Sequence, residues 1–202
     1  MDFKQVDTSS AEQITIDNLL PVIGKDKIVA SIYQGLIENP KQIASMFFYD
    51  AAGSRLFEEI TQLPEYYLTR TETRLLHRQF NKMGPTLEQV DIVELGSGDC
   101  SKISILLNAI PDYQRETCRY IPIDVSRPAI KKSAELLVQK YPELTIHGFV
   151  ADFTKQLRVI PHQKKRVLLF LGSTLGNLTR EQSKAFFIQI ADIMQPNDRF
   201  IL

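Results

Sequence analysis

The stretch that decides the fold is "VDIVELGSGDCSKISILLNAI", residues 90–110. An apolar run leads into two glycines one residue apart, Gly96 and Gly98. Ile103, Leu106, Leu107 and Ile110 then recur at helical spacing. The pattern reads as strand, tight turn and helix. A turn of this kind, outside the carboxyl end of a buried strand, is where open α/β sheets hold nucleotide-like ligands.

Working outward toward the carboxyl terminus, "RYIPID" (119–124), "TIHGFV" (145–150) and "RVLLFL" (166–171) read as further strands. The last is continuously apolar, as a strand buried on both faces should be. Between them, "SRPAIKKSAELLVQKY" (126–141) is a helix with Ser126 as cap and Pro128 in its first turn. "TREQSKAFFIQIADIM" (179–194) is a helix capped by Thr179, and "QPNDRFIL" (195–202) a turn and the start of a fifth strand. Strand and helix alternating in this way predict a parallel sheet with right-handed crossovers. The sequence stops inside that fifth run, which leaves a sheet edge uncovered and suggests a fragment of something longer.

The region before residue 90 is written differently. "DKIVASIYQGLIENP" (26–40) offers Asp26 as a cap and an Asn-Pro stop, and "GSRLFEEIT" (53–61) offers Gly53 as break and Ser54 as cap. "TRTETRLLHRQFNKMGP" (69–85) opens on Thr69-x-x-Glu72, the pattern of a capping box, and closes on Gly-Pro. "LPEYYL" (63–68) is too rich in proline and aromatics to continue a helix. The division expected is a helical segment over 1–88 and a Rossmann-like ligand-binding domain over 89–202, incomplete at its carboxyl end.

Composition bounds the partners. Lys and Arg total 24 and so do Asp and Glu, so no global field draws in nucleic acid or an anionic membrane. The amino terminus lacks the basic start and apolar stretch of a secretory signal. Two cysteines, Cys100 and Cys118, suit a reducing, cytoplasmic setting better than a disulfide framework. His77, His147 and His162 are scattered without ligand spacing, so no metal site is expected.

Glycine spacing alone leaves the ligand open, because tight βα turns need glycine for backbone reasons. A dinucleotide fingerprint wants a third glycine where Ser101 stands, and a pyrophosphate prefers a helix start free of carboxylate. Here Glu94 precedes the turn and Asp99 follows it. Such a rim suits a ligand with positive charge nearby, as in the ammonium and sulfonium of S-adenosylmethionine. Asp124, ending the second strand, is placed to accept both ribose hydroxyls. Asp152 is placed to accept from an adenine amino group, with Phe153 as an apolar contact to the base. A nicotinamide enzyme and a binding module without turnover are the rival readings.

The residues also resemble a known family, the histidine-specific Nα-methyltransferases of ergothioneine biosynthesis. The resemblance is carried by "FFYDAAGSRLFEEITQLPEYYLTRTE" (47–72), "VELGSGDCSK" (93–102), "PIDVS" (122–126), "ADF" (151–153) and "FLGSTLGNLT" (170–179). It implies a class I methyltransferase sheet, here partial, with an N-terminal helical extension contributing to the substrate site. It also implies transfer of methyl groups from S-adenosylmethionine to the α-amine of L-histidine. Carried over residue by residue, it implies Gly96, Lys102, Asp124, Asp152 and Phe153 as donor contacts, joining Glu94 and Gly98 of the turn. Tyr66 resembles the contact to the imidazole, Asn177 the contact to the amino-acid backbone groups, and Tyr49 a tyrosine close to the reacting amine. Related enzymes act on other aromatic amino acids, which keeps the acceptor open. The unfinished sheet edge leads us to expect self-association.

Overall fold

The computed structural model describes residues 13–21, 24–43, 45–48 and 51–202. Tyr49 lies outside these described residues. By contacts the chain divides into two compact units, one formed by Met1–Leu19 with Arg70–Leu202 and the other by Leu20–Thr69.

The larger unit is built on a six-stranded sheet in which every pairing is parallel. Its strands are β1 (Ile14–Asn18), β2 (Val90–Leu95), β3 (Arg119–Asp124), β4 (Thr145–Val150), β5 (Lys165–Leu169) and β6 (Arg199–Ile201), in the spatial order β1-β4-β3-β2-β5-β6. Five of these follow the sequence pattern. β1 does not: it was hidden in a region that otherwise reads as helical, although Ile14 and Ile16 alternate with polar residues as a strand requires. It pairs with β4 from Ile14↔Ile146 to Asn18↔Val150, and Asp17 meets His147 at 2.8 Å across that pairing.

β2 is buried throughout and lies near the middle of the sheet. Its alternating side chains feed two cores. Ile92 packs with Ile103, Leu106 and Leu107 of α4 (Ser101–Ala109) and with Leu137 of α6 (Arg127–Lys140). Val93 and Leu95 face the other way, toward Phe186 and Ile190 of α7 (Arg180–Ile193). Burying one such aliphatic side chain stabilises by about 1.5–3 kcal/mol, so Leu106→Ala breaks this layer at a cost of about 2–5 kcal/mol. Ser126 caps α6 by accepting from the Ala129 N–H, and Thr179 with Gln182 forms a reciprocal capping box on α7. A short helix, α5 (Asp112–Arg115), carries Arg115, whose guanidinium donates to the Leu107 carbonyl at 2.6 Å and lies over the Tyr141 ring.

The smaller unit holds α1 (Lys25–Ile37), α2 (Ala51–Gln62) and the first turn of α3 (Tyr67–Met83). α2 starts at Ala51, so Gly53 is interior rather than a break. α3 starts at Tyr67, two residues before the expected cap. Glu72 is therefore inside the helix, and its carboxylate is engaged elsewhere. The remainder of α3 packs Leu76 and Phe80 into the first core of the sheet unit.

Candidate functional site

β2 neighbours β3 on one side and β5 on the other, so the loops leaving β2 and β5 diverge over opposite faces. That makes their carboxyl ends the switch point of the sheet. After Leu95 the chain turns through Gly96 at φ +70° and Gly98 at φ +50°, values that favour glycine. The Gly96 N–H donates to the Ile123 carbonyl at 2.8 Å, and the Gly98 N–H donates to Asp124 Oδ2 at 3.0 Å. Asp124 Oδ1 accepts the Ser126 N–H at 2.9 Å. The turn after β2 is thus fastened to the end of β3 by a carboxylate.

Close approach explains Gly96 further. A Cβ placed there would lie 3.4 Å from the Phe153 ring and 3.7 Å from Thr174 Cγ2. The turn, the residue after β4 and the loop after β5 therefore converge on one point. Gly98 faces open space. Between the glycines, Ser97 Oγ is buried without a hydrogen-bond partner among the described residues. A cradle that a side chain would fill, beside an orphaned polar atom, fits a bound polar ligand better than a closed structural turn.

Beneath the turn, Glu94 is 2% exposed and accepts a hydrogen bond from the Tyr120 hydroxyl. Burial pushes its carboxyl up to about 8, against the Tyr120 hydroxyl and Lys102, which pull the other way. Burial and Glu94 together push the Tyr120 phenol up as well. Lys102, in the first turn of α4, pairs with Glu72 Oε2 at 2.9 Å, and Glu72 Oε1 accepts the Gly172 N–H at 2.6 Å.

Asp152 closes a local turn, accepting the Thr154 N–H and hydroxyl on Oδ1 and the Lys155 ammonium on Oδ2. Burial raises its pKa, but these bonds outweigh it and hold the carboxyl below the usual range. Phe153 meets Phe170 edge-on at 5.4 Å between ring centroids. Asn177 ends a short 3-10 turn, Thr174–Asn177, and is exposed. In the smaller unit, Tyr66 is half-buried and meets Phe57 edge-on at 6.2 Å.

The structure therefore gathers Glu94, Gly96, Gly98, Lys102, Asp124, Asp152 and Phe153 at the carboxyl ends of β2, β3 and β4 and at the α4 start that follows β2. Sequence reading missed two contributors. Ser97 carries no signal of its own in the sequence. Glu72 was assigned to a helix cap because T-x-x-E is the capping pattern; no local signal distinguished the two uses. Among the described residues no cluster of three or more His, Cys, Asp or Glu side chains could hold a metal ion, and no helix is long and apolar enough to cross a membrane.

The fold and its glycine turn define the class: a parallel α/β sheet with a ligand-type turn at its switch point. Among solved structures, the mitomycin 7-O-methyltransferase MmcR superimposes with a TM-score of 0.54 at 17% identity, covering 87% of this chain and 47% of that one. The chain belongs to the family described as histidine-specific methyltransferase, SAM-dependent, whose profile matches residues 28–202. A histidine N-alpha-methyltransferase from Mycolicibacterium smegmatis is 36% identical over 194 residues, which is 96% of this chain and 59% of that protein. Ergothioneine biosynthesis protein 1 of Neurospora crassa is 30% identical over 205 residues, covering 98% of this chain and 23% of that protein. The chain thus spans little more than half the length of the first relative and less of the second. Family membership makes S-adenosylmethionine the cofactor.

Proposed function

We propose that this chain carries the donor site of an S-adenosylmethionine-dependent Nα-methyltransferase acting on L-histidine, a reaction of ergothioneine biosynthesis. One observation above all supports the reading: the Gly96–Gly98 turn is tied to Asp124 and converges with Phe153 and Thr174. When bound, S-adenosylmethionine supplies an electrophilic methyl group on a sulfonium.

The chain's own residues do the rest. Asp124 accepts from the ribose hydroxyls, because each of its oxygens keeps a lone pair beyond the one given to a backbone N–H. Phe153 presents its ring to the base, and Asp152 accepts from the base's amino group. Lys102 offers an ammonium to the only anionic group of the donor, its carboxylate. Asp99 and Asp124 give the rim the negative character that a sulfonium and an ammonium favour, while Glu94 lies beneath it as a buried acid. On the acceptor side Tyr66 contacts the imidazole and Asn177 the amino-acid backbone groups. Tyr49 orients the α-amine or takes its proton, since only the neutral amine has a lone pair to attack with. Aligning the two reactants and excluding water supply the rate advantage.

The partner is a small amino acid. With 24 cationic and 24 anionic side chains, no net field of the chain favours nucleic acid as the partner. Both cysteines are free, in keeping with the cytoplasm. β6, at one border of the sheet, offers an edge for self-association, which would appear as a concentration-dependent shift in size-exclusion chromatography.

Calorimetric titration with S-adenosylmethionine, followed by transfer of labelled methyl to L-histidine with L-tryptophan as comparison, tests the proposal. Heat from the donor and label on histidine are expected. A second reading, donor binding without turnover, draws on the fraction of the relatives' length that the chain spans; it predicts heat and no label. No heat with the donor would overturn both.

A further inference from the structure

We propose that Glu72 is a positioning residue that holds the Lys102 ammonium of the donor site against the loop after β5 at Gly172. The proposal rests on the reading of Lys102 as a donor contact. The geometry is that of a single carboxylate with two attachments. Oε2 meets the Lys102 ammonium at 2.9 Å, and Oε1 accepts the Gly172 N–H at 2.6 Å. The two attachments are themselves in contact, since a Cβ on Gly172 would stand 2.5 Å from Lys102 Nζ.

The loop needs such an anchor. Gly172 at φ +81° and Ser173 at φ +59° are consecutive left-handed residues, so the chain reverses sharply as it leaves the sheet. Beyond them short-range bonds support the turn, among them Thr174 Oγ1 to the Leu171 carbonyl at 2.8 Å and the Gly176 N–H to the Ser173 carbonyl at 2.9 Å. The Glu72 bond reaches a residue far away in sequence, on a helix with Leu76 and Phe80 in the core. On the donor side the carboxylate fixes a flexible side chain. Lys102 has four rotatable bonds, and a partner that holds its ammonium in place removes an entropy cost from donor binding. Lys102 and Glu72 side chains are 23% and 26% exposed, so solvent screens the pair only in part.

Three variants of the full chain separate the two attachments. Glu72→Gln keeps an acceptor for the Gly172 N–H and removes the charge facing Lys102. Glu72→Ala removes both, and Lys102→Met removes the cation. In the ligand-free protein, amide exchange of peptides covering 170–178 is expected to quicken about tenfold in Glu72→Ala and to stay within about twofold in Glu72→Gln. Titration with S-adenosylhomocysteine is expected to show about tenfold weaker binding for Glu72→Gln when Lys102 is present. With Lys102→Met already in place, the same change should cost less than about twofold. A general loss of structure would not disappear in the Lys102→Met background. Additive losses, or exchange at 170–178 unmoved in a folded Glu72→Ala protein, would overturn the proposal; should Glu72→Ala not fold, the cycle with Glu72→Gln decides alone. Exchange needs no ligand. A parent chain giving no heat with S-adenosylhomocysteine would therefore end the functional reading, while the exchange still decides the anchor.

Discussion

The two ends of the sheet bury carboxylates in opposite ways. At the amino ends each has an arginine. Asp91, with no exposure, takes a two-pronged hydrogen bond from Arg119 at 3.0 and 2.7 Å, and Asp198 does the same for Arg166, both side chains of that pair being 1% exposed. At the carboxyl ends, among the described residues, the bonds given to Glu94 and Asp124 come from other groups. Glu94 has a tyrosine hydroxyl, and Asp124 has two backbone N–H groups. A cavity of about 310 Å³ does lie at the amino ends, lined by Thr86, Glu88, Lys165, Arg166, Asp198 and Arg199 among others. Of its lining, the buried Arg166 and Asp198 pair with each other. The amino-end carboxylates each answer an arginine, whereas Asp124 is bonded to backbone N–H groups and is the carboxylate the proposed donor site uses.

The sharpest way to break this comparison is at Asp198. Asp198→Ala leaves the Arg166 guanidinium buried without its counter-charge, a loss of about 3–5 kcal/mol, read from the urea midpoint. Donor affinity of the folded fraction should not change. Burial raises the Asp198 pKa, but the Arg166 bonds and the Gln195 N–H outweigh it and hold the carboxyl below the usual range. Its contribution is thus present above the ordinary carboxylate pKa and disappears as pH falls through the lower folded value.

Glu94 has the opposite sign. Its folded pKa is raised to about 8, so the protonated form is the one the fold favours. Its contribution is complete at acid pH and is lost as pH rises toward 8. Glu94→Gln, which keeps a partner for Tyr120, should flatten the fall in stability between about pH 5 and pH 8, a difference on the order of 3 kcal/mol. Thermal melts across that range check it, and an unaltered slope would remove Glu94 from the account.

Two smaller effects sharpen the contrast on the carboxyl side. Asp124→Asn keeps the shape of the side chain but removes its charge, and should weaken donor binding by about thirtyfold in calorimetry. Thr179→Ala deletes the capping box of α7 and should cost about 1 kcal/mol of stability, with donor affinity within about twofold of the parent.

Much of the sheet was legible because its strands are bounded by unambiguous punctuation. Gly96 and Gly98, the Ser126 and Thr179 caps and the continuous apolar run of β5 each had one reading, and local pattern agreed with tertiary structure. β1 was obscured because five residues carry too little periodicity to stand out before a helical region. The site was half legible. Carboxylates at strand ends announce themselves by position, but whether a carboxylate caps a helix or crosses to another element depends on where the helix starts. α3 begins at Tyr67, and that two-residue difference turned Glu72 from a cap into a long-range anchor. Tyr66 reads in isolation as a packing aromatic, and its edge contact with Phe57 suits that use equally well. Its proposed role comes from family likeness.

The most direct measurement is a crystal structure of the chain with S-adenosylhomocysteine. The account predicts both ribose hydroxyls within about 3 Å of the Asp124 carboxylate, the base against Phe153, and the ligand carboxylate beside Lys102. A ligand seated instead among Glu88, Lys165 and Arg199 at the other end of the sheet, or one whose sugar stands clear of Asp124, would contradict it.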